Sequence, residues 1–262
     1  MIKAVESQNN PGKLVKKAVL GSVGLSFLFV VLGAVLGWWI IYELIHPEPA
    51  LTFLYNALGA GAGFIYLQVV LSLKAGERQV SRLLLAGGLY VSIAWTALSF
   101  FAPLLFFPEL PVYAKLLSVL AVGLFCFQNI RIGLRIAEKL WNGYGAFAFS
   151  KNLNDSNTSV HWAKVDEAMQ GRWNVKPLGA PLRWHGIISK ILYSFAVVGL
   201  YLAGLYSIFA VITWAVPATI AAGVMLQHAS HSFFQAHRVW VWERENGIAL
   251  KWRSSPIRRK KK

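Results

Sequence analysis

Residues 227–238 read QHASHSFFQAHR and hold three of the chain's six histidines. Imidazole at such spacing suggests a metal ligand, a proton relay or a hydrogen-bonding group inside a helix bundle. Helical geometry separates these options. Advancing about 100° per residue from His228, His231 falls at about 300°, Gln227 at 260°, Gln235 at 340°, Arg238 at 280° and His237 at 180°. Gln227, His228, His231, Gln235 and Arg238 therefore share one arc of the helix, and His237 points away. His228 and His231 form an H-x-x-H pair, one ligand short of the three that a catalytic zinc takes from protein. The sequence thus argues against a metal site and for a one-sided Gln/His stripe.

No other catalytic constellation stands out. P-loop, G-x-S-x-G and paired-carboxylate patterns are missing, so no catalytic residue and no cofactor is assigned and an enzyme is disfavoured. The single cysteine, Cys126, lies in the apolar stretch VGLFCFQN and reads as a packing residue.

The elements that position the stripe follow from composition. Hydrophobic residues make up 56% of the 262, with 11 tryptophans, and this excess belongs in lipid. Apolar runs occupy 18–45, 50–73, 83–107, 112–130 and 187–226. A bilayer is crossed by about 20 apolar residues, so the last run is too long for one span and predicts a helical hairpin. Proline suits the first turn of a helix, so Pro217 is expected to open the sixth span, after a turn near Thr213 to Val216. The predicted fold is all-α: a polytopic membrane protein of about six transmembrane helices, with an amphipathic cytoplasmic loop and a basic C-terminal tail.

Charge sets the expected topology. Four Lys and Arg fall in 1–17, three in 74–82, nine in 131–190 and nine in 237–262, which leaves only Lys115. The alternate connections, HPEPA and PELP, carry glutamate and no Lys or Arg. Short cytoplasmic loops hold the basic residues, so both termini are expected in the cytoplasm of a bacterial-type inner membrane. The chain then divides into a basic N-terminus (1–17), four spans (18–130), a cytoplasmic interfacial loop (131–186), a transmembrane hairpin (187–236) and a basic tail (237–262). The apolar run that follows the basic start is too long for a cleaved signal and reads as an uncleaved first span.

Within the loop, Ile130, Leu134, Ala137 and Trp141 recur at helical spacing and predict an amphipathic continuation of the fourth span. Ser159 is expected to cap a short helix that ends near Gly171. Trp162, Trp173 and Trp184, with Trp240, Trp242 and Trp252 of the tail, fit a layer at headgroup level. The N-x-S patterns at Asn154 and Asn157 fall in this cytoplasmic loop and carry no glycan expectation.

Three further features bear on function. Gly33 with Gly37 and Gly59 with Gly63 have the small-xxx-small spacing that brings helix backbones together in lipid; they predict packing within the first hairpin, or one seam open to a partner subunit. No Asp or Glu falls near the middle of a span, which argues against a carboxylate-based proton-coupled transporter. The tail residues Arg253, Arg258, Arg259, Lys260, Lys261 and Lys262 are suited to anionic lipid or an acidic partner; nucleic acid shares that chemistry but nothing else indicates it.

A stripe starting from Pro217 would place His228 about 16 Å down the sixth span, near the bilayer midplane. Such polar groups need partners, within the bundle, in an aqueous cleft or on another subunit. The leading functional expectation is a non-enzymatic subunit of a multiprotein membrane assembly of secretion, conjugation, envelope or defence type, docking partners through its basic cytoplasmic face. The alternative is a small channel or transporter that uses Gln227, His228, His231 and Gln235.

Overall fold

The structure, a computed structural model, describes residues 11–75, 78–154, 156, 158–170, 172–173, 194 and 207–252. The chain opens with α1 (Pro11–Leu44), and a tight turn in which the Ile45 and His46 amides donate to Ile41 O leads into α2 (Pro47–Ala75). Pro11 and Pro47 occupy first-turn positions, where the missing N–H has no intrahelical partner to lose. Glu48 lies in the first turn of α2, where a negative charge meets the positive end of the helix dipole. α3 (Gln79–Leu98) follows, then a 3-10 turn (Ala102–Phe106) and α4 (Val112–Leu140). α4 passes through a π-turn (Trp141–Gly145) into α5 (Ala146–Lys151). A short strand β1 (Ser159–Val160), α6 (Trp162–Gln170), the long α7 (Ser207–Asn246) and β2 (Lys251–Trp252) complete the described elements.

Five stretches among the described residues are long and apolar enough to cross a membrane: Leu20–Leu44, Pro47–Leu71, Gln79–Leu98, Val112–Lys151 and Val211–Asn246. The chain is therefore a helical protein built for a bilayer. α1 runs antiparallel to α2, with Gly37 on Phe53 and Gly61 on Val30. It runs parallel to α3, with Gly33 on Thr96 and Gly37 on Ser99. α7 is antiparallel to α3, shown by Tyr90 stacked on His228 and Phe100 on Trp214, and parallel to α4, which it meets at Gly223 and at Gly133. One end of the bundle thus carries the 45–46 and 99–111 connections with Glu43 and Glu109. The other carries the start of α1, the end of α2, the start of α3 and the ends of α4 and α7.

At that second end the loop and the chain's last described residues build a core of their own. Leu140, Trp141, Phe149, Val160, Trp162, Val165, Met169, Val239 and Leu250 are buried together. Gly247, at φ +66°, ends α7 with its chain reversed, and the Ile248 amide donates back to Glu243 O at 3.2 Å. The chain then runs past α3, where the Gln79 amide donates to Leu250 O at 2.9 Å, and pairs in parallel with β1, Ser159 opposite Lys251. Buried Glu243 closes the arrangement by pairing with Arg78 and accepting from the Leu250 amide at 2.8 Å.

Several expectations need correction. Ser207–Asn246 is one helix with Pro217 inside it, so the turn expected near Thr213 to Val216 does not form. Proline is tolerated inside a membrane helix, and here it removes only the donor to Thr213 O while the helix continues on both sides. The remainder of the expected 187–236 hairpin falls mostly outside the described residues, as do Trp184 and the tail from Arg253 to Lys262. The amphipathic continuation of the fourth span is present as α4 and α5. Ser159 lies in β1 and does not cap α6, although α6 does end at Gln170, beside Gly171. Trp162 is 8% exposed inside the core, so it is no headgroup anchor. The loop folds onto the helix ends because those ends offer apolar surface that the loop alone could not bury.

The glycine pairs also divide. A Cβ at Gly33 would lie 2.8 Å from Ser99 Oγ and 2.9 Å from Thr96 Cα, so this glycine permits α1 to touch α3. In α2 the contact with α1 is made by Gly61, and a Cβ at Gly59 or Gly63 would meet nothing. The second small-residue pair therefore faces outward and does not pack the first hairpin.

Candidate functional site

The polar stripe of α7 splits between two environments. Gln227 is fully buried and turns to α4, where its Nε2 donates to Asn129 Oδ1 at 2.6 Å. Asn129 Nδ2 in turn donates to Phe125 O at 2.9 Å. Gly133 permits this approach, since a Cβ there would lie 2.8 Å from the Gln227 backbone. This contact joins two spans by a hydrogen bond of the kind lipid cannot replace.

His228, His231 and Gln235 instead line a cavity of about 560 Å³ between α3, α6 and α7. From α3 come Gln79, Arg82, Leu83, Ala86 and Tyr90, a face that repeats every three to four residues. Trp162, Ala163 and Asp166 of α6 close one side, and Trp173 leans in from the chain just beyond. His228 is stacked on Tyr90 with ring centroids 5.1 Å apart, and Trp173 lies 5.7 Å from His228 and 4.1 Å from His231. Arg82 and Asp166 interact electrostatically at the wall, so the charged groups facing the cavity balance.

Hydrogen bonding fixes the state of His231. Gln235 Nε2 lies 2.8 Å from His231 Nε2, and an amide nitrogen can only donate. His231 thus accepts at Nε2 and carries its proton on Nδ1, and that Nδ1 has no partner among the described residues. Two more lining residues hold buried, unpartnered polar atoms: Gln79, at both Nε2 and Oε1, and Trp173, at Nε1. Gln79 is 0% exposed.

Tyr90, stacked on His228, lies about 17 Å along the α3 span from Gln79, so the cavity runs from the loop end of the bundle, at Gln79, toward the middle of that span. His237 is exposed and faces away from the cavity, near Trp240, as the helical angles predict. No group of three or more His, Cys, Asp and Glu suited to a metal ion occurs among the described residues.

Asn129, Gln79, Arg82, Tyr90, Asp166 and Trp173 were not singled out as site residues from sequence. Gln79 and Arg82 gave a faint signal as polar residues opening an apolar span. Asp166 and Trp173 gave none, since their role depends on where α6 lands. No protein-family model matches the chain, and neither a curated protein nor a solved structure does.

Proposed function

We propose that this protein is a non-enzymatic, multi-pass subunit of a larger membrane assembly, of secretion, conjugation, envelope or defence type, in a bacterial-type inner membrane with both termini cytoplasmic. The observation that carries this reading is the outward face of α2. Asn56, Gly59 and Gly63 lie one turn apart on that face, all exposed, and a Cβ at either glycine would meet nothing. Asn56 has no side-chain hydrogen bond among the described residues and is about 14 Å from Pro47, mid-depth in a bilayer of about 30 Å. An amide is costly in hydrocarbon, and small residues beside it are what a neighbouring helix requires for close approach. The face therefore suits another subunit's span better than lipid. The basic tail, Arg253 to Lys262, would add anionic lipid or an acidic partner at the cytoplasmic side.

Gentle detergent extraction followed by mass spectrometry tests the reading. A stoichiometric membrane partner should copurify with the native chain and be lost from Gly63→Leu, with the variant itself still monodisperse. A monodisperse native particle with no partner would sink the idea. Transport through the α7 stripe is less favoured, because the Gln227–Asn129 contact ties the stripe's first residue to α4.

A further inference from the structure

We propose that the cavity between α3, α6 and α7 binds the headgroup of a membrane quinone, an uncharged, flat ring bearing carbonyl oxygens on two edges and an apolar tail. Its volume of about 560 Å³ falls within the roughly 300–1,000 Å³ of small-molecule sites.

Unpartnered donors dominate. Among the described residues that line the cavity, Gln79 Nε2, Trp173 Nε1 and the protonated His231 Nδ1 are buried without acceptors, against a single unpartnered acceptor, Gln79 Oε1. Buried donors left unpaired cost free energy, and a ligand with carbonyl acceptors on two edges relieves more than one of them. Gln79 is the strongest pointer, being 0% exposed and orphaned at both amide atoms while it lines the cavity.

Charge and shape narrow the class. Arg82 and Asp166 offset one another, so neither an anion nor a cation finds an excess of opposite charge. The imidazole lone pair of His231 is already engaged by Gln235, which removes it as a metal ligand. Tyr90, His228 and Trp173 form a continuous aromatic wall, a surface on which a planar ring stacks. Ala86, Leu83 and Tyr90 belong to an apolar span, so the wall continues along the bundle and offers an apolar tail a surface to lie on.

The test is calorimetric titration of the full chain, in nanodiscs, with a benzoquinone carrying one isoprenoid unit, and separately with uracil, a tail-less ring of similar carbonyl chemistry. Saturable binding of the quinone at one site per chain is expected. Trp173→Phe keeps an aromatic ring while deleting the indole donor, and Gln79→Leu deletes the amide; each should weaken binding by about fivefold or more. His231→Phe decides in place of either variant that is not monodisperse. The proposal is overturned by an unsaturable titration of the native chain, by well-behaved variants that bind as tightly as the native chain, or by binding of uracil without the quinone.

Discussion

At the scale of single residues, the α7 stripe shows how 100° of helix decides a side chain's role. Gln227 and His228 are neighbours in sequence, yet one meets Asn129 on α4 and the other Tyr90 on α3. Gln227→Leu takes the donor from Asn129 Oδ1 between two spans, which should cost about 1–3 kcal/mol. The double variant Gln227→Leu, Asn129→Leu should recover part of that loss, and a double-mutant cycle on thermal unfolding in detergent measures it. Strict additivity would show that the contact is not a coupled pair. The glycines of α2 permit an equally local test. A Cβ at Gly61 would lie 2.1 Å from Val30 Cγ1, so Gly61→Ala should destabilise the isolated chain by about 1–3 kcal/mol. Gly59→Ala, which meets open space, should leave it within about 0.5 kcal/mol.

At the scale of elements, α4 and α7 make a contrast. The helical spacing of Ile130, Leu134, Ala137 and Trp141 announces that α4 continues beyond its apolar run, and it does so through the π-turn into α5. The same kind of reading misplaces α7, because proline ends helices in water more readily than in lipid, where a span continues through it. Two measurements check the continuous helix. Pro217→Ala restores a backbone donor to it, so thermal stability should hold or rise; a fall would indicate a turn that needs the proline. Ala215→Cys, 3% exposed, should resist a membrane-impermeant maleimide that labels Glu109→Cys at the exposed tip of the 99–111 connection. Labelling of both would place a loop where the helix is.

At the scale of the whole molecule, the bundle and the core at its loop end are joined through a few residues. Leu250 is fully buried in that core, its carbonyl accepts from Gln79, and its amide donates to Glu243. Leu250→Ala should cost about 2–4 kcal/mol. Because β2, β1 and α6 hang from this point, proteolysis within 152–170 should speed up while the spans stay protected. Equal loss of protection in both regions would show that the loop core and bundle unfold as one unit. The cavity lies along the same junction, so quinone binding should slow cleavage within 152–170.

Length and hydropathy alone determined that the chain is helical and built for a bilayer, since only a helix satisfies its own backbone over about 20 apolar residues in lipid. The positions of Lys and Arg likewise gathered the basic connections at one end of the bundle, because each short connection reverses the direction of the helix. Tertiary structure decided the rest. Gln79, Asp166 and His231 share a cavity only because α3 and α7 pack antiparallel in one register and α6 folds back between them. Outward-facing Gly59 and Gly63 have the same spacing as Gly33 and Gly37, and only the rotation of α2 against α1 distinguishes the two pairs. Local periodicity records which residues share a face; which neighbour that face meets is set by packing among residues far apart in the chain.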